Sequence, residues 1–509
     1  MEIELKLLVQ AQDVAALCLH PLLKKYAMGK AHELKMSDIY FDTPDLQIRR
    51  SGAGLRVRRV DRNWIQTLKG GGDAMGGLHS RHEWESEVSG PVPEVAALQD
   101  MVHKSAWAKM LRAPKIGEQL KPIFKTRITR RVWMLRLPHG DEVECVLDLG
   151  TIECDKQKVP IREIELELKS GDPTHLFDFA LALLLDIPMQ IGNLSKADRG
   201  YALYLPQPPA ALKATRPSLS KRMTVEQAFE AIAGNCIEQI QTNATSVAHT
   251  DDIESLHQMR VGLRRLHAAL GLFKQMLQPP EELLTELDWL AKQLGAARDW
   301  DVLANSTLPA VAVAMPGEIR LAGVTLAALD RAHETHKAAA AAVRSPRFTR
   351  LILRLGHWLL GCGWHDAMLR RDRVRLQGGV VKFARNTLEY EQCRLLRRGR
   401  TLQGSSAKVR HRVRIAAKNA RYATEFFLPL YSAKKIQPFV DALIALQNEL
   451  GRQNDASVAG RLLKEFDGGQ EYLDDTAGFI RAHLASHKRN HDRTIRKIWK
   501  KFASIKLRC

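Results

Sequence analysis

Long apolar runs are missing from this chain of 509 residues. None approaches the roughly 18 residues needed to cross a bilayer, so no membrane-spanning helix is expected. Nothing resembling the charged and apolar regions of a secretory leader fits before Glu2, and the expectation is a cytosolic protein. Cysteine is sparse: seven residues, scattered and without C-x-x-C spacing. They are expected to be free thiols, forming neither a disulfide frame nor a zinc site. Aromatics are few, 6% of the residues, and rarely interleave with the basic runs, so stacking on single-stranded bases has little support. The glycine-rich stretch Gly70-Gly71-Gly72…Gly76-Gly77 lacks the G-K-[ST] ending of a phosphate-binding loop. It falls between two strand-like segments and is expected to be a flexible hairpin loop.

Positive charge, by contrast, is abundant. The net charge is +20, and it is unevenly spread. Residues 1–205 hold 29 Lys+Arg against 28 Asp+Glu, whereas residues 206–509 hold 48 against 29, a balance of +19. Such a field attracts polyanions: nucleic acid, polyphosphate or an anionic membrane surface. The hydrophobic content of 45% is that of an ordinary globular protein, and the length exceeds one typical domain.

The two parts differ in periodicity. Strand-like segments fall at 2–9, 37–42, 54–60, 63–69, 81–88, 125–137, 143–149 and 161–169, with helices expected at 11–26, 94–104, 105–112 and 173–186. Eight antiparallel strands are enough to close a barrel. Pro206-Gln207-Pro208-Pro209 and Arg216-Pro217-Ser218 break regular structure and mark a linker over 206–220. Beyond it, apolar residues recur at helical spacing in 224–248, 251–277, 281–296, 318–343, 374–399, 405–428, 434–450 and 475–503. This region is also duplicated. Leu256-His257-Gln258-Met259-Arg260-Val261 with Arg264-Arg265 returns 154 residues later as Arg410-His411-Arg412-Val413-Arg414-Ile415 with Lys418. Leu294-Gly295…Arg298-Asp299 returns as Leu450-Gly451…Asn454-Asp455. The expected fold is α+β in two domains: an eight-stranded antiparallel barrel over 1–205 and an all-α domain of two pseudo-symmetric halves over 221–509.

The first strand sets the chemistry. Glu2, Glu4 and Lys6 share one face and Ile3, Leu5 and Leu7 the other, because strand side chains alternate. Two carboxylates on one rigid face repel unless a cation lies between them, and the lysine beside them suits an anion. A metal chelated to a polyphosphate would satisfy all three; a solvated edge strand is the plainer alternative. The pattern repeats in Arg56 and Arg58, in Arg81, Glu83 and Glu85, and in Glu163, Glu165, Glu167 and Lys169. In a closed barrel these faces become a charged lumen, and buried charges need partners or ligands.

These residues, with Thr67-Leu68-Lys69 and Leu147-Asp148, resemble the CYTH family, the triphosphate tunnel metalloenzymes, across nearly all of residues 1–205. The resemblance implies an eight-stranded tunnel that binds a triphosphate. Glu2 and Glu4 would hold a divalent metal, helped by Glu85, Glu165 and Glu167, with Asp148 either structural or near the metal. Lys6, Arg56, Arg58, Lys69, Arg81, Arg130 and Lys196 would line the phosphate path, and Glu2, Glu4, Lys6, Lys69 and Glu85 would carry catalysis. Which two of Glu163, Glu165 and Glu167 are ligands stays open, as does the choice between Arg127 and Arg130. Hard oxygen donors suit Mg²⁺ or Mn²⁺, and phosphoryl transfer depends chiefly on positioning and charge neutralisation.

In the second part His257, Arg260 and Arg264 share one helix face, as do His411, Arg414, Lys418 and Arg421. Met259, Leu263, Leu266, Leu270 and Phe273 form the stripe that buries the first of these helices. These residues, with Arg265, resemble the CHAD family over about residues 220–505. The resemblance implies two four-helix units around a basic groove that binds inorganic polyphosphate, with polyphosphate granules as a place of association. His267 departs from the arginine frequent in that family. The readings that follow are a metal-dependent inorganic triphosphatase with a polyphosphate-docking domain, an adenylyl cyclase or thiamine triphosphatase on the same tunnel, and a non-catalytic polyphosphate- or RNA-binding protein. Neither a membrane nor a specific nucleic acid is an expected partner.

Overall fold

The computed structural model of the chain describes residues 2–102, 107–113, 115–206, 210–315, 321–365, 368–402, 406–466, 471–486 and 488–505. Parts of the expected helices (103–106, 318–320, 405 and 487) and of the linker (207–209) lie outside the described residues. The chain divides into two compact units, one of residues 1–209 with 344–361, the other of 210–343 with 362–509.

The first unit is a barrel. Its strands are β1 (Glu2–Val9), β2 (His32–Asp42), β3 (Ala53–Val60), β4 (Asn63–Met75), β5 (Leu78–Val88), β6 (Lys121–Arg136), β7 (Glu142–Cys154), β8 (Gln157–Ser170) and the short β9 (Met189–Ile191). Neighbours run in the order β5-β4-β3-β2-β6-β7-β8-β1, and β1 pairs back onto β5. Eight antiparallel strands therefore close, with β9 added beside β1. Closure removes exposed sheet edges and divides each strand's alternating side chains into lumen and exterior. Leu55, Val57 and Leu68 face out and pack under Leu98 and Leu111 of two short helices. Ile128, Ile152 and Ile161 pack with Tyr201, which belongs to a helix at Lys196–Tyr204.

The glycine stretch is mostly strand, contrary to the expected loop. β4 continues to Met75, and the hairpin turn is only Gly76-Gly77, both at positive φ. Such a two-residue turn needs the left-handed region and favours glycine. Gly71 and Gly72, also at positive φ, form a bulge where the β4–β5 register shifts. The expected helix over 11–26 is broken into a 3₁₀ turn and two short helices, Val14–Cys18 and Pro21–Tyr26. Pro21 has no N–H to continue the first helix but suits the first position of the second.

Two helices cover one side of this unit: α1 (Thr174–Leu183), buried through Phe177, Phe179 and Leu183, and a helix at Pro346–Leu360 contributed by a distant segment. Sequence reasoning missed the latter. It packs on α1 and β9, Thr349 donates its hydroxyl to the Met189 carbonyl at 2.8 Å, and Gly356 lets the backbone approach Gly76 and the Phe177 ring. The Lys196–Tyr204 helix, α2, starts in a capping box of Ser195 and Asp198.

The second unit is helical. Its main helices are α3 (Val225–His249), α4 (Ile253–Phe273), α5 (Glu281–Val302), α6 (Val380–Gly399), α7 (Ala407–Phe427) and α8 (Ala433–Leu462), with Leu321–Arg344, Glu471–Ser486 and Lys488–Ser504 around them. The segment 374–399 splits at Gly378-Gly379 into Arg370–Leu376 and α6, and α8 runs twelve residues past its expected end. Met259, Leu263, Leu266, Leu270 and Phe273 are all buried, as the spacing predicts. The duplication is visible in the packing: α4 meets its counterpart α7, and α5 meets α8. No helix of the described residues is long and apolar enough to cross a membrane.

Candidate functional site

Strand register decides what enters the barrel lumen. In β1 and β8, Glu4 lies opposite Glu167, Lys6 opposite Glu165, and Leu8 opposite Glu163. Glu2 pairs with Arg81 on β5, and Lys69 on β4 pairs with Glu83. Because side chains alternate, this register gathers both signs of charge around a cavity of 370 Å³. Of the residues singled out from sequence, Glu2, Glu4, Lys6, Arg56, Arg58, Lys69, Arg81, Arg130, Glu165, Glu167 and Lys196 all line it.

Below the cavity lies a layer of matched charges. Asp38, Asp148 and Glu163 are 0% exposed. Arg58 forks onto Asp38 at 2.8 and 3.1 Å, and Arg130 forks onto Asp148 at 2.8 and 2.7 Å, reaching Glu165 at 3.2 Å. Bidentate pairing fixes the plane of each guanidinium. The Lys6 ammonium sits 2.8 Å from Glu165. The Lys196 ammonium meets Asp148 at 2.8 Å and Glu165 at 3.1 Å, and also pairs with Glu163. Oxygens of Asp148, Glu163 and Glu165 converge within 4.8 Å of one another, and Lys196 supplies a cation there. Burial works against ionisation of Glu165, but Lys196, Lys6 and Arg130 outweigh it and hold the carboxyl well below the usual range. Burial likewise opposes the charge on Lys6, but Glu165, Glu163 and Glu4 raise its pKa above the ordinary value.

Nearer the open cavity the balance differs. Burial pushes the Glu2 carboxyl up to about 6, against the pull of Lys69 and with the repulsion of Glu4 and Glu83. Glu167 is also raised, by burial first and by Glu2 and Glu144 after the opposing contacts of Lys169. Arg56 lies 3.4 Å from Glu83, and Lys69 contacts Glu2 and stands 3.7 Å from Glu4. Burial and the Arg81 charge push His79 down to about 4. Its neutral ring spans the Gly192 carbonyl at 3.1 Å and Arg81 at 3.5 Å. With Nε2–H donating to the carbonyl, Nδ1 is left to accept from arginine. The beginning of α2, residues 195–198, also borders the cavity and turns the positive end of the helix dipole toward it.

Several placements bear on what the sequence left open. Glu165 and Glu167 line the cavity, whereas Glu163 lies in the buried layer. Arg130 enters the lumen, while the Arg127 side chain is 70% exposed beside Glu153. Asp148 stands behind Arg130 instead of lining the cavity. Glu85 is half exposed and accepts from Thr67 at 2.8 Å; Glu83, two residues away, is the β5 carboxylate that lines the cavity. Asp38 and His79 were not singled out from sequence, because only the register shows what each one holds.

The second unit contains a groove of 910 Å³. Nine Lys/Arg side chains line it against three Asp/Glu, counted among the described residues. Arg260 and Arg264 reach it from α4 and Arg414, Lys418 and Arg421 from α7, with His257 beside them and Arg298 from α5. Gly295 leaves room for the Arg260 guanidinium; a Cβ there would lie 2.5 Å from Nη1. Burial pushes Lys418 down to about 7, and Arg264, Arg414 and Arg260 add to the effect. Burial and the charges of Arg298 and Arg264 hold His257 at about 4. Nδ1 of His257 and Nε of Arg264 and Arg414 are buried without a hydrogen-bond partner. Arg265 has a structural environment: it is buried, with its Nη atoms on Gln239, Asn235 and the Thr215 carbonyl. His411 is exposed and borders a neighbouring cavity with Lys408 and Arg410, so the two repeat histidines are not equivalent. Arg298 was read from sequence as part of the repeat without being assigned to the site.

Comparison with known proteins agrees with this division. Residues 1–201 match the CYTH domain family and residues 231–464 the CHAD domain family. The chain is 33% identical over 203 residues to the inorganic triphosphatase of Haemophilus influenzae, covering 40% of this chain and 54% of that one. It thus spans about half the length of that curated relative. The crystal structure of the CHAD domain from the plant Ricinus communis is 38% identical with a TM-score of 0.53, over 58% of this chain and 98% of that chain. The chain is a CYTH domain followed by a CHAD domain.

Proposed function

We propose that the barrel hydrolyses inorganic triphosphate with the help of a divalent metal, Mg²⁺ or Mn²⁺, and that the helical groove binds inorganic polyphosphate. The observation that carries the reading is the layering of the lumen. Arg58, Arg130, Lys6 and Lys196 are held by buried carboxylates, while Glu2, Glu4 and Glu167 crowd together at the cavity with Arg56, Arg81 and Lys69. Burial first, and neighbouring carboxylates after it, raise Glu2 and Glu167, and a divalent cation would offset that repulsion. Their hard oxygen donors fit Mg²⁺ or Mn²⁺, with Glu2, Glu4 and Glu167 as the holding set and Glu165 behind them. When bound, the ion supplies charge neutralisation and a more acidic water.

The protein's own groups do the positioning. Arg56, Arg81 and Lys69 bind phosphate oxygens, and His79 orients Arg81. Arg58 and Arg130 stay fixed because Asp38 and Asp148 fork them, so little reorganisation is needed as charge shifts during transfer. Asp38, held at about 2 despite its burial by Arg58 and Arg56, remains ionised throughout the working pH range. The similarity to the H. influenzae inorganic triphosphatase supports this substrate over ATP. In the groove, unsatisfied cationic nitrogens and a lysine held near neutrality describe a site short of anions, which a flexible polyanion would supply. Phosphate release from triphosphate, long polyphosphate, thiamine triphosphate and ATP, each with Mg²⁺ or Mn²⁺, tests the assignment. Triphosphate is expected to be turned over fastest, and full activity in excess chelator would overturn the metal dependence.

A further inference from the structure

A second group of potential ligands lies in the helical unit and has no part in the groove. Glu226 and Glu230 stand one turn apart at the start of α3 and therefore share a face. Opposite them is the turn Cys362-Gly363-Trp364-His365, where the chain re-enters this unit. The turn is closed by a hydrogen bond from the His365 N–H to the Cys362 carbonyl at 2.8 Å, with Cys362 at φ 48°. Trp364 is buried against the Phe229 ring at 5.3 Å, which fixes the turn on α3.

Donor atoms of Glu226, Cys362 and His365 lie within 4.8 Å of one another. His365 Nε2 is 2.5 Å from a Glu226 oxygen, and Cys362 Sγ is 3.6 Å from a Glu230 oxygen. Trp364 donates to the same Glu226 oxygen at 2.7 Å, and Gln377 donates to the other at 2.8 Å. These are the outer contacts that orient a ligating carboxylate. A tetrahedral zinc with bonds of about 2.0–2.3 Å has donor separations of about 3.3–3.8 Å, so these side chains need only small rotations. One thiolate, one imidazole and two carboxylates are a donor set suited to Zn²⁺ and not to Mg²⁺.

We propose that Glu226, Glu230, Cys362 and His365 form a zinc site that pins the Cys362–His365 turn to the first helix of the CHAD domain. Metal binding at the thiol would release its proton.

The full chain is stripped with chelator, reloaded with Zn²⁺ or Co²⁺ in excess Mg²⁺, and assayed for bound metal and for the thiolate-to-cobalt charge-transfer absorption. A hard-oxygen site in the barrel gives no such band. One equivalent of zinc and the band are expected. Cys362→Ser should abolish the band and weaken zinc binding at least tenfold, His365→Gln should weaken binding similarly, and Cys393→Ser should change neither. Circular dichroism on the same samples confirms that the variants are folded. Absence of the band in the unmodified chain, which requires no variant, overturns the proposal. So does a band that persists in Cys362→Ser.

Discussion

Two lysines in this chain, Lys6 buried and Lys418 half-buried, are shifted in opposite directions. Lys6 in the barrel is raised above its ordinary pKa, because Glu165, Glu163 and Glu4 more than offset the cost of burial. Lys418 in the groove is pushed down to about 7, because burial is reinforced by Arg264, Arg414 and Arg260. The surroundings explain the difference. The barrel cavity is lined by eight Lys/Arg and six Asp/Glu, the groove by nine and three. On the proposed reading, the barrel is a nearly balanced array suited to a metal and a phosphate chain entering together. The groove is a cationic surface with few acids, which a polyanion would complete.

This contrast can be broken at either end. The largest effect is expected at Glu4, a buried carboxylate between Lys6 and Lys69. Glu4→Gln should lower phosphate release by at least about 10²-fold while circular dichroism shows an intact fold, and it should leave polyphosphate binding unchanged. Next comes charge reversal at Arg260, Arg264, Arg414 and Lys418 together. Polyphosphate affinity should fall by about 10²-fold or more and the salt dependence should flatten; four reversals elsewhere on the helical unit should do much less. Duplex DNA, a rigid competitor, should bind the unmodified groove more weakly at equal phosphate concentration.

Protonation gives a finer test. Lys418 is charged below pH 7 and increasingly neutral above it, and a bound polyanion favours the charged form. Affinity should therefore be greatest below pH 7 and fall as pH rises through that value, by up to about tenfold per unit for one linked proton. Calorimetry in buffers of different ionisation enthalpy at pH 8 should show proton uptake on binding. Lys418→Arg should remove that uptake and keep the affinity. The smallest effect separates the two repeats. Gly295→Ala places a Cβ 2.5 Å from Arg260 Nη1, whereas a Cβ at Gly451 meets nothing within 4 Å. Binding should weaken a few-fold for the first variant and stay unchanged for the second. Equal effects would mean that the glycines matter for the helices and not for the arginine.

Much of this was legible in the chain because period-two alternation states which side chains share a face. Once the barrel is closed, Glu2, Glu4, Lys6, Arg56 and Arg58 have little choice but the lumen. Partnerships across strands were less legible. Asp38 is one of three acids in β2, with Glu33 and Asp42, and its role appears only when the register sets it opposite Arg58. The same holds for Glu83 against Glu85, which share a face but differ in depth. The Pro346–Leu360 helix carries a clear start in Ser345 and Pro346, yet nothing local says that it joins the barrel unit. The cysteines of the described residues are free, as expected; Cys362 and His365 are close in sequence, but Glu226 is far away, so their grouping was not legible. In the helical half the repeat predicted equivalent histidines, and tertiary packing half-buries His257 while leaving His411 exposed.

The division of labour is tested most directly by steady-state phosphate release from inorganic triphosphate, comparing the full chain with its Arg264→Glu/Arg414→Glu/Lys418→Glu variant. Long-chain polyphosphate binding is measured on the same samples. The account predicts kcat and KM for triphosphate within about twofold of the unmodified chain, while polyphosphate affinity falls by about 10²-fold. A parallel collapse of triphosphate turnover in a folded variant would contradict it, because the groove would then be part of the catalytic site.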